Sequence, residues 1–384
     1  MEFKEWFCLR NRESFMIDPK INPEDARFYF GRHEIKHWII GQLKRSFVDP
    51  GIPKMILYGP YGSGKTQTLF HIEYYLKKSK PGSCKFLPKT VHLDLEMLSK
   101  STNFDLHIQL LEAIGKDVVV KWIEQLRNKG NLEIELRKIT SDTNIISVMI
   151  NLPAGGDIGL SAWRWICGQT LSTRELEQLR VTRELGRLGS GDLVNALIAI
   201  GKLAEANGEK IIFLIDEAEQ FRNVKTGDAS ESLHAYLRKL AEPSNSSVGF
   251  IIAGFALTLD DMPELVVRPD IRTRLGETNI KEIGNLPAVK DVQIFLQELF
   301  AELIDQRAAE NKIQEEKLGV TLNTYPFTSS SFDLLCEFAS QDLVKALPRN
   351  LIKAVNECAI AAWDEKKPVI DDNIVNEIAP IIFG

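Results

Sequence analysis

The stretch from Gly59 to Thr66 constrains this chain more than any other part of its 384 residues. Its letters, GPYGSGKT, match the pattern G-x-x-x-x-G-K-[ST], with an apolar run before it and apolar residues at helical spacing after it. Glycines let such a loop curl so that its N–H groups face a phosphate, and the following helix adds partial positive charge. The pattern therefore predicts a strand, a phosphate-binding loop and a helix.

The loop residues carry distinct expected roles in binding ATP and Mg²⁺. The Lys65 ammonium can reach the β- and γ-phosphates, and the Thr66 hydroxyl can ligate the metal ion. Glycine-rich turns between a strand and a helix also occur without a ligand, but the flanking elements favour nucleotide binding. The predicted nucleotide-binding residues of the loop are Gly59, Pro60, Tyr61, Gly62, Ser63, Gly64, Lys65 and Thr66.

An acidic pair follows the segment from Ile211 to Ile215, whose continuous apolar sequence is typical of a parallel strand buried on both faces. Asp216 is placed to hold Mg²⁺, and Glu217 to polarise the attacking water as a catalytic base. An acidic pair after a strand is otherwise often only a helix cap. In a chain with a phosphate loop, the pair predicts ATP hydrolysis.

Composition and charge exclude several classes of protein. The five cysteines are scattered and never spaced C-x-x-C, which predicts reduced thiols and a cytoplasmic protein. The charged N-terminus lacks a signal segment, and no run of about 18 apolar residues occurs, so no membrane partner is expected. The formal net charge is −6, from 47 basic and 53 acidic residues. Any DNA binding should therefore be weak, independent of sequence and confined to a local basic stripe.

One motif suggests a different chemistry. Residues His33 to His37 match H-E-x-x-H, the spacing at which one helix face offers two histidines to zinc. A zinc protease of this kind needs a third ligand further along the chain. The remaining histidines are isolated from one another, so we do not expect a zinc protease; they are His71, His92, His107 and His234.

The order of elements resembles an AAA+ ATPase of the origin-recognition type. Two further apolar segments, Thr90 to Met97 and Val248 to Phe255, complete the strands of a P-loop NTPase fold. The resemblance implies an α/β fold, with a parallel sheet between helical layers in a core over 29–285 and a C-terminal helical lid over 286–384. Residues 1–28 are then an N-terminal extension.

The letters FGRHEI resemble the motif that precedes the phosphate loop in this family and lines the adenine pocket. The resemblance therefore implies nucleotide contacts from Phe30, Gly31 and Arg32. It also reinterprets the two histidines as parts of a nucleotide-facing loop and of the first helix.

Two arginines are assigned catalytic roles by the same resemblance. VVRPDIRTRLGETN resembles the arginine-finger region, which reaches the γ-phosphate of a neighbouring subunit; Arg274 fits best, with Arg272 as the alternative. LPRN places Arg349 as the sensor-2 arginine, which touches the nucleotide of its own subunit from the lid. Each could instead be a solvated surface arginine. A shared site implies a homo-oligomeric ring or filament.

Two departures from the family pattern bear on activity. The segment IIAGFALTLDD offers only Thr258 where the family has a polar sensor-1 residue, so hydrolysis could be slow or dependent on a partner. The chain ends at Gly384 soon after the lid, where origin-type initiators carry a winged-helix domain. Two hypotheses stay open: an ATPase with continuous turnover, and an ATP-controlled scaffold or switch that assembles on DNA or a protein partner.

A long insertion separates the second strand from the acidic strand by about 110 residues, more than a minimal core needs. It is predicted to be mostly helical over about 100–200, with a flexible break from Leu152 to Gly159. The segment around Trp163 and Trp165, with its turn GQTLSTREL, resembles the BrxD-like ATP-binding proteins of bacteriophage-exclusion (BREX) systems. This implies work with other proteins in an anti-phage defence or DNA-transaction complex.

The same segment allows a purely structural interpretation. Two tryptophans that alternate with another residue are typical of a helix with one ring buried and the other partly exposed. Its arginines alternate with glutamates, which favours a salt-bridged solvated face over a DNA-binding stripe. These arginines are Arg174, Arg180, Arg183 and Arg187.

Overall fold

The computed structural model describes residues 1–47, 51–79, 86–95, 103–186, 189–224, 227–341 and 346–384. The described strands are β1 Lys54–Gly59, β2 Leu87–Asp94, β3 Glu209–Asp216, β4 Val248–Phe255 and β5 Ile280–Glu282. The described α-helices are α1 Phe3–Trp6, α2 His33–Ser46, α3 Lys65–Lys78, α4 Asn103–Ile114, α5 Lys116–Arg127, α6 Leu132–Ile139, α7 Thr143–Asn151, α8 Gly156–Ile166, α9 Thr173–Leu179, α10 Ser190–Ala206, α11 Asp228–Ala241, α12 Glu264–Val267, α13 Pro269–Leu275, α14 Val289–Leu303, α15 Gln306–Glu315, α16 Ser329–Gln341, α17 Pro348–Asp364 and α18 Asp372–Phe383.

The strands form one parallel sheet in the order β2-β3-β4-β1-β5. Strands β3 and β4 lie inside the sheet and are buried almost throughout, which is why both are continuously apolar. The predicted α/β fold with a parallel sheet is confirmed. Strand β2 begins at Leu87 and ends at Asp94, earlier than the predicted segment, whose last residue Met97 lies outside the described residues.

The chain divides into two compact units. The sheet unit comprises 40–59 and 75–282, and therefore contains the whole sheet and the inserted helices. The helical unit comprises 1–39, 60–74 and 283–384. Residues 1–28, which the sequence sets apart as an extension, thus lie in the same unit as the C-terminal helices and the phosphate loop from Pro60 onward.

The insertion in the sheet unit is helical, as predicted, with one difference. The expected flexible break consists of a 3-10 helix, Leu152–Ala154, then Gly155, and then the start of α8 at Gly156. Trp165 of α8 is buried, and its indole N–H donates to the carbonyl of Arg183 at 2.8 Å, whereas Trp163 is only partly buried. The expectation of one buried and one partly exposed tryptophan is confirmed.

A buried histidine joins three helices of the sheet unit. His107 of α4 lies 3.0 Å from the hydroxyl of Tyr236 in α11 and 2.9 Å from the carbonyl of Ile166 in α8. Burial lowers the pKa of His107 to about 4, so the ring is neutral at physiological pH. A neutral ring can donate through one nitrogen and accept through the other, which satisfies both contacts.

The core of the helical unit is built from both ends of the chain. In α17, the apolar residues at helical spacing are fully buried, as the sequence predicts; they are Leu351, Val355, Ala359 and Ala362. Phe7 and Phe15 from the N-terminal segment join the same core, where Phe15 meets the ring of Phe300 at 6.2 Å. The indole of Trp6 donates to the carbonyl of Lys367 at 3.0 Å. Among the described helices, none is long and apolar enough to cross a membrane.

Candidate functional site

The phosphate loop makes a tight turn before α3, which begins at Lys65. Gly62 and Gly64 have φ angles of +79° and +86°, in the left-handed region that favours glycine. Both the N–H and the hydroxyl of Thr68 donate to the carbonyl of Gly64, each at 2.8 Å. The curl expected from the glycine spacing is therefore present at the start of the helix.

Two cationic residues of the helical unit lie on this loop. The Lys65 side chain is largely buried, and its ammonium donates to the carbonyl of Pro60 at 2.9 Å. Arg349, the second residue of α17, donates its backbone N–H to the carbonyl of Gly62 at 3.3 Å. The Cβ of Arg349 lies 3.3 Å from the place that a Cβ on Gly62 would take. The sequence-predicted Lys65 and Arg349 are thus brought together at one loop.

Arg32 reaches the same loop from the segment before α2. Its guanidinium donates to the carbonyls of Ser63 and Gly284, and only 7% of the residue is exposed. Burial lowers the pKa of Arg32, and nearby Tyr29 opposes this change. The Nε of Arg32 and the hydroxyl of Ser63 are buried without a hydrogen-bond partner among the described residues. Because unpaired buried polar atoms cost free energy, a polar anionic ligand here would relieve both.

The other two residues of the predicted adenine-pocket motif pack against α14. Gly31 has a φ of +61°, and a Cβ there would lie 2.8 Å from the Cβ of Phe295. Its N–H donates to Glu298 at 2.7 Å. The buried ring of Phe30 stacks on Phe28, with ring centres 5.4 Å apart. The contact of this segment with a nucleotide stays a prediction.

Some residues of α3 have structural roles that sequence reasoning missed. The amide of Gln67 donates to the carbonyls of Asp25 and Phe28, each at 2.7 Å. His71 lies 3.0 Å from the carbonyl of Ala26 through Nδ1. These side chains fasten the N-terminal segment to the helix that carries the phosphate loop. No local pattern marks them, because their partners lie about forty residues earlier in the chain.

In the sheet unit, the carboxyl ends of β1, β3 and β4 meet at one edge of the sheet, as parallel strands require. Gly59 at the end of β1 pairs in register with Phe255 at the end of β4. Asp216 ends β3 at this edge and is only 6% exposed. The sheet thus places the predicted metal ligand Asp216 at the same edge as Gly59, the first residue of the glycine-rich pattern.

Glu217 follows with an unusual backbone. Its φ and ψ are +58° and 39°, in the left-handed region, and its N–H donates to Asp216 Oδ1 at 3.0 Å. Glu217 is an exposed residue. A non-glycine residue in this region costs free energy and persists only where the surroundings hold it.

The segment after β4 is where the family has its polar sensor-1 residue. Leu257 is 62% exposed. Both the N–H and the hydroxyl of Thr258 donate to Asp261 at 2.9 Å, in a capping box of the 3-10 helix Leu259–Asp261. The hydroxyl of Thr258, the one weak sensor-1 candidate, is therefore used in its own turn.

The two finger candidates lie on the short helix α13 with partly exposed side chains. Arg274 donates to the carbonyl of Asp270 at 2.6 Å, and Arg272 donates to Glu277 at 2.9 Å. Asp270 also lies 3.1 Å from Nε2 of His234 in α11, which ties α13 to that helix. Both arginines are held by groups of their own surface segment, and the finger role of either one stays a prediction.

Both histidines of the H-E-x-x-H motif contact other groups of the chain. His33 lies 2.8 Å from Glu298, and Nδ1 of His37 lies 2.7 Å from the carbonyl of His33. In the described ranges, no group of three or more His, Cys, Asp or Glu side chains is placed to hold a metal ion. In the insertion, Arg183 lies 3.4 Å from Asp192, which fits the salt-bridged interpretation, and Arg187 lies outside the described residues.

A parallel five-stranded sheet with a glycine-rich loop after β1 and an acidic pair after β3 defines the fold of an AAA+ P-loop NTPase. Among solved structures, the chain is similar to the ORC2 protein of Aeropyrum pernix. The ADPNP–ADP complexes of that protein match with a TM-score of 0.54 and 12% identity, over 98% of this chain and 72% of that one. Its ADP form matches with a TM-score of 0.51 and 10% identity, over 97% and 73%. No protein-family model and no curated sequence matches the chain.

Proposed function

We propose that this protein binds ATP with Mg²⁺ and hydrolyses it. The observation that carries the proposal is the phosphate loop itself, with Lys65 and Arg349 both held against it in one compact unit. Helix N-termini and cationic side chains are the groups that proteins use to bind phosphates. The unpaired Arg32 Nε and Ser63 hydroxyl suit an anionic ligand, and the similar ORC2 structures hold ADPNP and ADP.

The side chains of Thr66 and Asp216 are of the kind that binds a magnesium ion. Mg²⁺ keeps several waters and takes one or two protein oxygens together with substrate phosphates. The Thr66 hydroxyl and the buried Asp216 carboxylate would hold it, and the ion would neutralise charge on the phosphates. Glu217 would accept a proton from the attacking water.

The proposal is tested by calorimetric titration with Mg²⁺–ATP and by phosphate release. Lys65→Ala should abolish measurable binding. Lys78→Ala removes the same charge from the far end of the same helix and should leave binding intact. A wild-type protein that does not bind ATP, or equal affinity for the wild type and Lys65→Ala, would overturn the proposal.

We further propose that the active site is shared in a homo-oligomeric ring or filament, with Arg274 or Arg272 as the trans-acting finger. Support comes from the partly exposed arginines of α13 and from the family resemblance. The resemblance of the insertion to BrxD-like proteins supports a place in a multi-protein anti-phage defence or DNA-transaction complex. Particle size measured with and without ATP on one sample tests this assembly. A protein that stays monomeric in the presence of ATP would contradict it.

The charge of the C-terminal helices bears on DNA binding. Residues 286–384 contain nine basic and sixteen acidic residues, so the C-terminal helices repel a phosphate backbone. We expect duplex affinity to be weak, to fall steeply with salt and to require the oligomer, because a small basic patch must be repeated across subunits. Tight binding by a monomer at high salt, followed by fluorescence anisotropy, would contradict this expectation.

A specific observation favours the second candidate function, an ATP-controlled scaffold or switch. The segment after β4 presents exposed Leu257, and Thr258 is occupied by Asp261. Water positioning from this segment would therefore be poor and hydrolysis slow. Slow turnover that a partner accelerates would favour the switch, and fast continuous turnover by the isolated protein would exclude it.

A further inference from the structure

The 3-10 helix that follows Glu217 binds both the N–H and the carbonyl of Phe255, the last residue of β4. The carboxylate of Glu219 accepts the N–H of Phe255 at 2.9 Å. The guanidinium of Arg222 donates to the carbonyl of Phe255 at 3.3 Å and also to the carbonyl of Asp261. All of these residues belong to the sheet unit. The 3-10 helix Ala218–Asn223 is thus joined by side chains to the segment that follows β4.

Close packing strengthens this connection. Ala218 is fully buried against Gly254, where an added Cβ would lie 2.9 Å from the Cβ of Ala218 and 3.3 Å from the sulfur of Met262. Helix α12, which precedes α13 and its arginines, also contacts the same 3-10 helix. Because close-packed groups transmit displacement, residues 218–223 and 254–262 are expected to move as one piece.

Glu217 is the residue immediately before this piece. Its left-handed backbone is unfavourable for glutamate and must be held by its neighbours. The segment after β4 offers Leu257 and Thr258 in place of a polar residue that could hold water directly. Glu219 and Arg222 connect this segment to the turn that begins at Glu217.

We infer that Glu219 and Arg222 are positioning residues: they orient Glu217 for its reaction with water and couple it to the segment that leads to α13. This inference rests on the proposed ATPase function. It also implies that a displacement of α13, such as a neighbouring subunit would cause, reaches Glu217 through these two side chains.

The test measures kcat, KM and ATP affinity in Glu219→Ala and Arg222→Ala. Turnover should fall by as much as about 10²-fold, the loss that a small misplacement of a catalytic group can cause. ATP affinity should not change, because both side chains bind backbone groups of the segment that follows β4. Glu219→Gln keeps an oxygen that can accept the Phe255 N–H and should retain most of the turnover.

A second comparison separates positioning from general damage. In the Glu217→Gln background, adding Glu219→Ala should not lower the residual turnover further, because the effect acts through Glu217. A further loss there, or a loss of ATP affinity with turnover, would overturn the inference. So would wild-type kcat in both alanine variants. If Arg222→Ala does not fold, Arg222→Lys, which keeps one donor group, takes its place.

A failure of the proposed ATPase function would give a different result from a failure of this inference. In that case the wild-type protein itself would not bind or hydrolyse ATP, whatever residues stand at 219 and 222. Amide hydrogen exchange provides a readout independent of turnover: Glu219→Ala should speed exchange of the Phe255 amide and of residues 217–223 together. Faster exchange at Phe255 alone would contradict the coupling.

Discussion

The backbone N–H of Arg349 donates to the carbonyl of Gly62, and the Cβ of Arg349 lies 3.3 Å from the place that a Cβ on Gly62 would take. Helix α17 therefore begins directly against the phosphate loop. This contact links the C-terminal helices to the loop within one compact unit. A nucleotide that moves the loop would therefore also move the start of α17.

Gly62→Ala should weaken ATP binding beyond its effect on stability. The new Cβ must adopt a φ of +79° and crowd Arg349, so both loop shape and the arginine are displaced. Gly208→Ala is the matched control, because Gly208 has a φ of +81° and no atom within 4 Å of an added Cβ. Both variants should lose about 1 kcal/mol of folding free energy in thermal melts. Equal ATP affinity in the two variants would contradict the prediction.

Arg349→Ala should lower ATP affinity by about 1.5 to 3 kcal/mol, the range for a hydrogen bond to a charged group. The reason is that Arg349 would act on the nucleotide of its own subunit. Lys353→Ala removes an exposed cation one turn along α17 and should not affect affinity. Calorimetry measures both variants, and the assignment fails if Arg349→Ala binds ATP as tightly as Lys353→Ala.

Glu217 should show a conflict between stability and turnover. Glu217→Gln should bind ATP and lose hydrolysis, because an amide cannot accept a proton from water. Glu217→Gly should also lose hydrolysis but gain about 1 kcal/mol of stability, since glycine adopts the left-handed backbone without strain. Lys366 has the same φ of +58°, so Lys366→Gly should gain stability and keep turnover. Wild-type phosphate release by Glu217→Gln would show that another group is the base.

A shared active site predicts complementation between two inactive proteins. Arg274→Ala should keep ATP affinity and lose hydrolysis, as arginine fingers contribute about 10³ to 10⁵ in rate. Mixed with Lys65→Ala, it should regain activity, because the Lys65 variant lends its arginine to the intact pocket of the other. If the mixture co-assembles and stays inactive, Arg274 is not the finger and Arg272 is tested next.

The buried His107 predicts a pH dependence of stability. Its pKa is about 4 in the folded protein against 6.5 ordinarily, so the unfolded state binds more protons between these values. The contribution of the neutral His107 ring to the free energy of unfolding is therefore present above pH 6.5 and is lost as the pH falls toward 4. Between pH 6.5 and 5, the loss from this residue is about 2 kcal/mol. His107→Gln keeps a donor and an acceptor without titrating, so its denaturation free energy should fall less over this interval; an identical pH profile would refute the assignment.

Local sequence determined the parts of this protein that depend on short-range rules. Glycines at fixed positions before Lys65 predict the curled loop, because only glycine adopts its left-handed angles without strain. The continuous apolar runs predict buried parallel strands, because both faces of such strands are covered. The buried face of α17 follows from its helical spacing in the same way.

Tertiary structure alone decided which distant residues meet. Arg349 and Gly62, or Arg222 and Phe255, are far apart in the chain, and no spacing rule connects them. The phenylalanines of the predicted N-terminal extension pack in the core of the C-terminal helices, and no pattern in residues 1–28 indicates that partner. Such contacts are selected by the joint packing of many side chains, a property that no single stretch of sequence contains.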